Sequence, residues 1–497
     1  MRTGIPCIFN GQTLPLGELP DFAGEEFTYA LAGLLAEGKR ACSFFAAGEA
    51  GEKHLYAVCA DDAEGRLYAI RGTAPTGRFT SLTPRFPQLH LFEREIYEQS
   101  GLYPEGHPWL KPVRFPGIAA GKQGSSIGDL EFFRVAGNEL HEVAVGPVHA
   151  GVIEPGHFRF QCRGETVHHL EISLGYQHRG IERTLRGGPF TETPFQMEVI
   201  AGDTTAGHMT AYCRIVESLY AMTPSASADR IRCLLIELER CANHTGDLGA
   251  LAGDIGFLPT MAYCGRLRGD FLNMTALLCG NRFGRGAVVP GGVGFTLDEA
   301  MAAELIDRLG NALEAFSTAT GLLWKEPSVM ARFAHTGTLP REIADTVGLV
   351  GPAARACGLT RDIRQDHASG FYRFAQIPVS THDSGDVFGR AFVRWREVAA
   401  SGEFLLSQLS QAHKGDKVKD CGQPSPDSMA ISLVEGWRGE ICHVALTDGA
   451  GRFAHYKIVD PSFHNWFGLA LALREGRISD FPLCNKSFNL SYCGFDL

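Results

Sequence analysis

Fourteen cysteines punctuate the 497 residues, at 7, 42, 59, 162, 213, 233, 241, 264, 279, 357, 421, 442, 484 and 493. Thiolates hold zinc and iron–sulfur clusters, but those sites are built on closely spaced pairs, and no two of these cysteines are spaced C-x-x-C. The start MRTGIPCIFNG has no basic stretch followed by a long apolar one, so nothing marks the chain for secretion and the thiols are expected to be reduced. His141, His149 and His157 recur every eight residues, which invites a metal reading; lone polar or capping roles suit them better. His168 and His169 are adjacent, and neighbours on a strand point to opposite faces, which argues against joint ligation. G-x-S-x-G, H-E-x-x-H and G-x-x-x-x-G-K-[ST] are missing. The run GAVVPGGVG at 286–294 lacks the strand–turn–helix setting of a dinucleotide loop and reads as a tight bend. Glu237, Arg240, His244 and Asp247, at i, i+3, i+7 and i+10, share one helix face. Such a stripe is either a solvated face of alternating charge or a buried polar network, and spacing alone favours the first.

The elements that position these groups follow from apolar periodicity. Residues 24–39 put Phe27, Ala30, Leu31, Leu34 and Leu35 on one side of a helix, and CSFFAA, HLYAVCA and RLYAIRG then read as a meander of strands against it. The Gly- and Ser-rich stretch GIAAGKQGSSIGD has no apolar period and reads as a linker. It divides a small N-terminal α/β domain (1–116) from a larger, mainly helical domain with short β-hairpins (131–497), an α+β chain with a linker at 117–130. In the larger part, Ile231, Leu234, Leu235, Leu238 and Ala242 line a helix expected to begin at Ala228 with Ser227 as N-cap. A second long helix follows a capping box of Thr296 and Glu299. A DGAG turn near the C-terminal end predicts a hairpin, followed by a last helix near Phe467. The balance of 46 Lys+Arg against 56 Asp+Glu, net −10, has the wrong sign for a nucleic-acid partner. The longest apolar run, from Phe467 to Leu473, is stopped by Arg474 and Glu475, too soon for a membrane span.

Several longer segments carry a family resemblance. GPVHAGVIEPGHFRF from Gly146 and EISLGYQHRGIE from Glu171 resemble the opening of the large subunits of group 4 membrane-bound nickel–iron hydrogenases and of the homologous quinone-cavity subunit of respiratory complex I. LLIELERCANHTGDLGALAGDIGF, VPGGV from Val289, VGPAARACG from Val350 and GDVFGRAFVR from Gly385 are similar to that family in the same order. FEREIYEQSGLYPEGHPWLKP, from Phe92 to Pro112, resembles the signature of the small subunit that precedes this one in complex I and is fused to it in several hydrogenases.

The resemblance implies a peripheral-arm subunit of a membrane-associated oxidoreductase that couples electron transfer to proton movement, similar to NADH:quinone oxidoreductase. In the family's hydrogenases two C-x-x-C pairs hold nickel and iron, because soft thiolates suit those metals. Here Ala201 and Thr204 stand for the first pair, and Ser462 and Asn465 for the second. No nickel–iron centre and no other cofactor is therefore expected on this chain, with an iron–sulfur cluster in an adjacent subunit. The quinone-binding Tyr and His of complex I fall near Gly202 and Pro155, so neither donor is retained. The resemblance implies proton-handling roles for Glu154 and for Asp254, which is expected to face the cavity; His208 joins them because imidazole in a desolvated cleft titrates near neutral pH. It also implies a cavity lined around Asp203, Thr204, Thr205 and His208, with Arg364 and His367 near the cleft, and it makes a buried network an equal reading of the stripe at 237–247. Expected partners are the iron–sulfur small subunit, antiporter-like membrane subunits and a quinone or other acceptor, at the inner face of the plasma membrane on the cytoplasmic side. The alternatives are a catalytically silent assembly subunit and a hydrogenase with atypical ligands.

Overall fold

A computed structural model describes residues 4–48, 53–115, 130–137, 139–149, 153–411 and 422–497. The N-terminal part is built on a five-stranded sheet. Strands β1 (Cys7–Ile8), β6 (Arg66–Thr73), β5 (His54–Asp61) and β4 (Arg40–Ala47) run antiparallel in that order, and β3 (Asp21–Ala23) pairs with β6 in parallel. Helix α1 (Glu25–Ala36) lays Phe27, Leu31, Leu34 and Leu35 on this sheet, as the periodicity predicts. Each such side chain contributes roughly 1.5–3 kcal/mol on burial. Helix α2 (His90–Ser100) follows, flanked by the parallel pair β7 (Arg78–Thr80) and β8 (Tyr103–Glu105). The linker expected at 117–130 lies, save for Leu130, outside the described residues.

β2 (Thr13–Pro15) pairs with β14 (Ser428–Gly436), and with β15 (Gly439–Thr447) and β16 (Phe453–Val459) forms a second sheet in the order β16-β15-β14-β2. β14 and β15 are buried at every position. Ion pairs reinforce this junction between the two parts of the chain. Lys457 on β16 binds Glu95 on α2 (2.7 Å) and Glu182 on the short helix α3 (Ile181–Thr184) (2.9 Å), and Arg114 also binds Glu95. Arg40 reaches both Asp62 and Glu440.

Strands β9 (His141–Val145), β10 (His157–Arg163) and β11 (Thr166–Ser173) make the third sheet. On β11, His168 meets Glu475 while His169 meets the Phe133 ring, on opposite faces as expected. The helical part contains α4 (Thr193–Met197), α5 (Thr205–Leu219), α6 (Ala226–Asp254), α7 (Leu258–Cys279) and α8 (Glu299–Lys325). The Gly-rich run forms the tight hairpin β12 (Val288–Val289) to β13 (Gly292–Val293). Four short helices, α9 (Pro327–Phe333), α10 (Arg341–Thr346), α11 (Gly351–Arg355) and α12 (Ile363–Asp366), lead to α13 (Val387–Leu409).

Three local expectations are corrected. The N-cap of α6 is Ser225, whose hydroxyl accepts from Ala228 N, so the helix starts two residues before Ala228 and Ser227 is not its cap. Asp298 caps α8 by accepting from Met301 N (2.8 Å), displacing the box of Thr296 and Glu299. Helix α14 (Pro461–Ala472) is not the last, since α15 (Phe481–Phe488) and α16 (Tyr492–Asp496) follow. Among the described residues no helix is long and apolar enough to cross a membrane.

Candidate functional site

The longest helix carries the chemistry. One face of α6 buries Ile231, Leu234, Leu235, Leu238 and Ala242; the opposite stripe is buried as well, with Glu237, Arg240 and His244 fully enclosed and Asp247 only 4% exposed. The solvated-face reading is therefore corrected. α7 and α13 flank the helix and the β14–β15 hairpin closes over it, so no residue from Ile231 to Ala252 is exposed.

Burying charge is tolerable only with partners, and the partners come from distant parts of the chain. Arg240 binds Glu237 (3.0 Å) and donates to the Gly436 and Glu435 carbonyls. His244 binds Glu397 (2.9 Å), which also binds Arg355 (2.9 Å). Arg355 reaches Glu435 (2.8 Å) and Asp362 (3.5 Å), and Arg364 joins Asp362 to Glu237. Asp247 binds Arg394 (2.7 Å), and Asp203 binds Arg438 (2.6 Å). Six ion-paired carboxyls thus face five guanidiniums. The excess falls on Glu435, which burial pushes up to about 7 despite Arg355. Glu239 caps the start of α5, accepting from Ala206 N and Gly207 N; burial, with Asp203 nearby, pushes it up to about 8.

Arg438 sits at the tip of the β14–β15 hairpin beside Trp437, held there by a close backbone approach. Gly351 has φ +66°, and a Cβ on it would lie 2.1 Å from the Arg438 carbonyl oxygen. Trp437 Nε1 donates to the Asp203 carbonyl and to Thr204 Oγ1, and the Arg438 guanidinium stacks 3.8 Å over the Trp437 ring. Burial opposes the Asp203 charge, but Arg438 outweighs it and holds the carboxyl below its usual range.

The four positions expected for thiolates gather around this tip and the segment 489–496. Ala201 is fully buried, and its carbonyl caps Thr204 N. Thr204 Oγ1 is taken by Trp437, Arg438 and Asp203. Ser462 Oγ accepts from Ser491 N (2.8 Å), and the Asn465 amide is closed on the Val350 backbone through both its oxygen and its nitrogen. A methyl, two hydroxyls and a carboxamide, the polar ones already satisfied by protein, do not fit a thiolate-held nickel–iron centre.

His208 on α5 is completely buried in a linear chain of hydrogen bonds. Asp460 caps α14, accepting from Ser462 N with Oδ1 and facing His208 Nε2 with Oδ2 (3.0 Å). His208 Nδ1 meets His443 Nε2 (3.1 Å), and His443 Nδ1 meets the Tyr456 hydroxyl (3.0 Å). A carboxylate only accepts, so His208 Nε2 donates to it. With His208 neutral, its Nδ1 accepts from His443 Nε2–H, and His443 Nδ1 accepts from Tyr456. Burial keeps His443 neutral and the Tyr456 hydroxyl protonated. The chain is oriented from end to end, which fixes the tautomers of both imidazoles and holds the Asp460 carboxyl below its usual range despite burial.

The other expected residues lie around this centre in different ways. Glu154 accepts from Tyr492 N (3.3 Å) beside the half-buried Cys493 thiol, which burial and the Glu154 charge push up to about 11. Thr205 Oγ1 donates to the Glu198 carbonyl. Arg364 belongs to the α6 array, whereas His367 binds Asp62 (3.0 Å) and pins the N-terminal sheet. Asp254 does not face the cluster. It is exposed in the last turn of α6, seven residues and roughly 10 Å beyond Asp247, where the helix leaves the bundle. His157 Nδ1 meets the Gly146 carbonyl and His149 the Tyr492 hydroxyl, separate polar contacts. Arg438, Asp460, His443, Tyr456, Glu239, Glu397 and Cys493 are functional candidates that sequence reasoning missed. Only the D-P-S sequence at Asp460, an N-cap followed by proline, carries a local signal.

Comparison with known proteins places the arrangement. The family described as respiratory-chain NADH dehydrogenase, 49 Kd subunit, matches residues 254–421. The 30 Kd subunit family of the same enzyme matches residues 40–118. An NADH-quinone oxidoreductase subunit of Herpetosiphon aurantiacus is 30% identical over 364 residues, 70% of this chain and 96% of that protein. The chain belongs to the family of the 49 kDa NADH dehydrogenase subunit. Hydrogenases belong to it too. Formate hydrogenlyase subunit 5 of Escherichia coli is 28% identical over 83% of this chain and 76% of its own length. The carbon monoxide-induced hydrogenase of Rhodospirillum rubrum is 28% identical over 70% of this chain and 97% of its own length. Family members are oxidoreductase subunits of multi-subunit complexes, and this chain joins the 30 kDa and 49 kDa types in one polypeptide.

Proposed function

We propose that this chain supplies protons to an electron acceptor reduced by a neighbouring iron–sulfur subunit, and that no nickel–iron centre is held by its own residues. The observation that carries the reading is the His208–Asp460 pair, with Arg438 and Asp203, packed beside Thr204 and Ser462, two of the positions expected for thiolate ligands. A quinone-class acceptor gains one proton for each electron. The buried chain from Tyr456 through His443 to His208 holds the imidazole donating to Asp460 in one tautomer, and Glu239 and Glu435 hold protons that exchange near neutral pH. Glu154 and Cys493 stand at the half-exposed edge of the cluster, next to exposed Gly202. Exposed Phe190, Phe195 and Val199 flank the same edge and suit a partner subunit's apolar contact. Attachment to the cytoplasmic face of the membrane through antiporter-like subunits completes the proposal.

The test is turnover of the assembled complex carrying His208→Gln or Asp203→Asn, with nickel analysis of the unmodified complex. Turnover is expected to fall by roughly 10²- to 10⁴-fold with the complex intact, and nickel to be far below one per chain. Stoichiometric nickel overturns the reading. Unchanged turnover in an intact complex favours a second one, a silent assembly subunit, which the internally satisfied Ser462 and Asn465 also support.

A further inference from the structure

Away from the charge array, a cavity of about 570 Å³ opens between α2, residues 107–115, β11 and α14. Protein interiors contain few voids larger than a water molecule, and small-molecule sites span roughly 300–1,000 Å³. Its walls are aromatic: Trp109 packs edge-on to Phe133 (5.5 Å), Phe133 tilts onto His169 (4.6 Å), and His90 onto Phe467 (4.5 Å). Burial keeps His90, His107 and His169 neutral.

Charge on the walls is unbalanced. Three cations, Arg94, Lys111 and Arg474, face one carboxylate, Glu171. Glu171 is already taken by Lys111 (2.6 Å) and by Phe133 N (2.8 Å). Arg94 is fixed by donating to the Lys111 and Pro112 carbonyls through Nε and Nη2, and among the described residues it has no ion pair. Its neighbour Glu98 accepts from the amides of Val113, Arg114 and Phe115 and offsets part of the Arg94 charge without pairing with it. Arg474 is exposed at the rim, also without an ion pair among the described residues. In a chain of net charge −10, a cationic excess around an apolar cavity calls for an anion with an apolar body.

We propose that this cavity binds an amphiphile with a single anionic head, carboxylate or phosphate, paired with Arg94, its apolar body lying against Trp109, Phe133 and Phe467. The site is independent of the proton-handling reading. Calorimetric titration of the full chain with oleate, methyl oleate and phosphatidylglycerol vesicles tests it. Oleate is expected to bind at one per chain, and methyl oleate, which lacks the charge, about tenfold to a hundredfold more weakly. Vesicles saturating the same site in competition with oleate identify a membrane lipid as the source; vesicles that do not compete identify a free acid. Arg94→Gln is expected to reduce oleate affinity to that of methyl oleate, and Ala470→Trp, which fills the cavity, to abolish both. Absent oleate binding, equal affinity for acid and ester, or full affinity in Arg94→Gln overturns the proposal. The acid–ester comparison on the unmodified chain decides the matter even where a variant fails to fold.

Discussion

Two buried ion clusters in this molecule obey different arithmetic. At the junction of α2, α3 and β16, Glu95 and Glu182 face Lys457 and Arg114, two carboxyls against two cations. Along α6, six carboxyls face five guanidiniums, and Glu239 adds a further acid beside them. A matched cluster joins elements and keeps its carboxyl charged: despite burial, Lys457 and Arg114 hold Glu182 below its usual range. An unmatched one must store protons, because an unpaired buried carboxylate is too costly to keep ionised. The difference separates a fastening from a device, although both look like buried salt bridges.

The severest way to break the array is Arg355→Met, which strips Glu397, Glu435 and Asp362 of a shared partner. A loss of about 3–5 kcal/mol is expected in chemical denaturation. Lys457→Met should cost about 3 kcal/mol by the same measurement, yet leave turnover of the intact complex unchanged; a turnover loss like that of His208→Gln would erase the distinction between the clusters. The pH dependence sharpens it. Glu239 and Glu435 are raised from 4.5 to about 8 and about 7, so between pH 5 and 8 the folded chain binds protons that the unfolded chain has released. That contribution is complete below about pH 4.5 and is lost as pH rises through 7 to 8, on the order of a few kcal/mol. Buried neutral histidines such as His244 and His443 tilt the whole-chain profile the other way below pH 6.5, so the comparison is with Glu239→Gln: across pH 5, 6.5 and 8 the unmodified chain should lose denaturation midpoint relative to that variant, and a difference independent of pH would contradict the raised Glu239 carboxyl. Smallest is Ser225→Ala, expected to lower stability by about 1 kcal/mol through loss of the α6 cap, with no change in the pH slope.

How much of this was legible in the chain varies with distance along it. Phe27, Leu31, Leu34 and Leu35 announce α1, and the alternating runs announce β4, β5 and β6, because each pattern lies within one element. The α6 and α8 caps each lie two residues from the predicted ones, since Ser225 and Ser227 are equally good cap residues and the choice between them rests on where the first turn packs. The stripe at Glu237, Arg240, His244 and Asp247 was visible but its environment was not. A charged face is wet or dry according to what covers it, and its cover, α13 and the β14–β15 hairpin, lies more than a hundred residues away.

The sequence by itself determined the family and those helices and strands whose apolar pattern lies within one element, because these are matters of residue type and spacing. Only the tertiary structure decided that Asp254 turns outward, that Cys493 stands beside Glu154, and that Tyr456, His443, His208 and Asp460 align in one hydrogen-bonded chain. Hydrogen bonds and buried charge are satisfied pairwise across space, and no periodicity along the chain records which distant partner a polar group will meet.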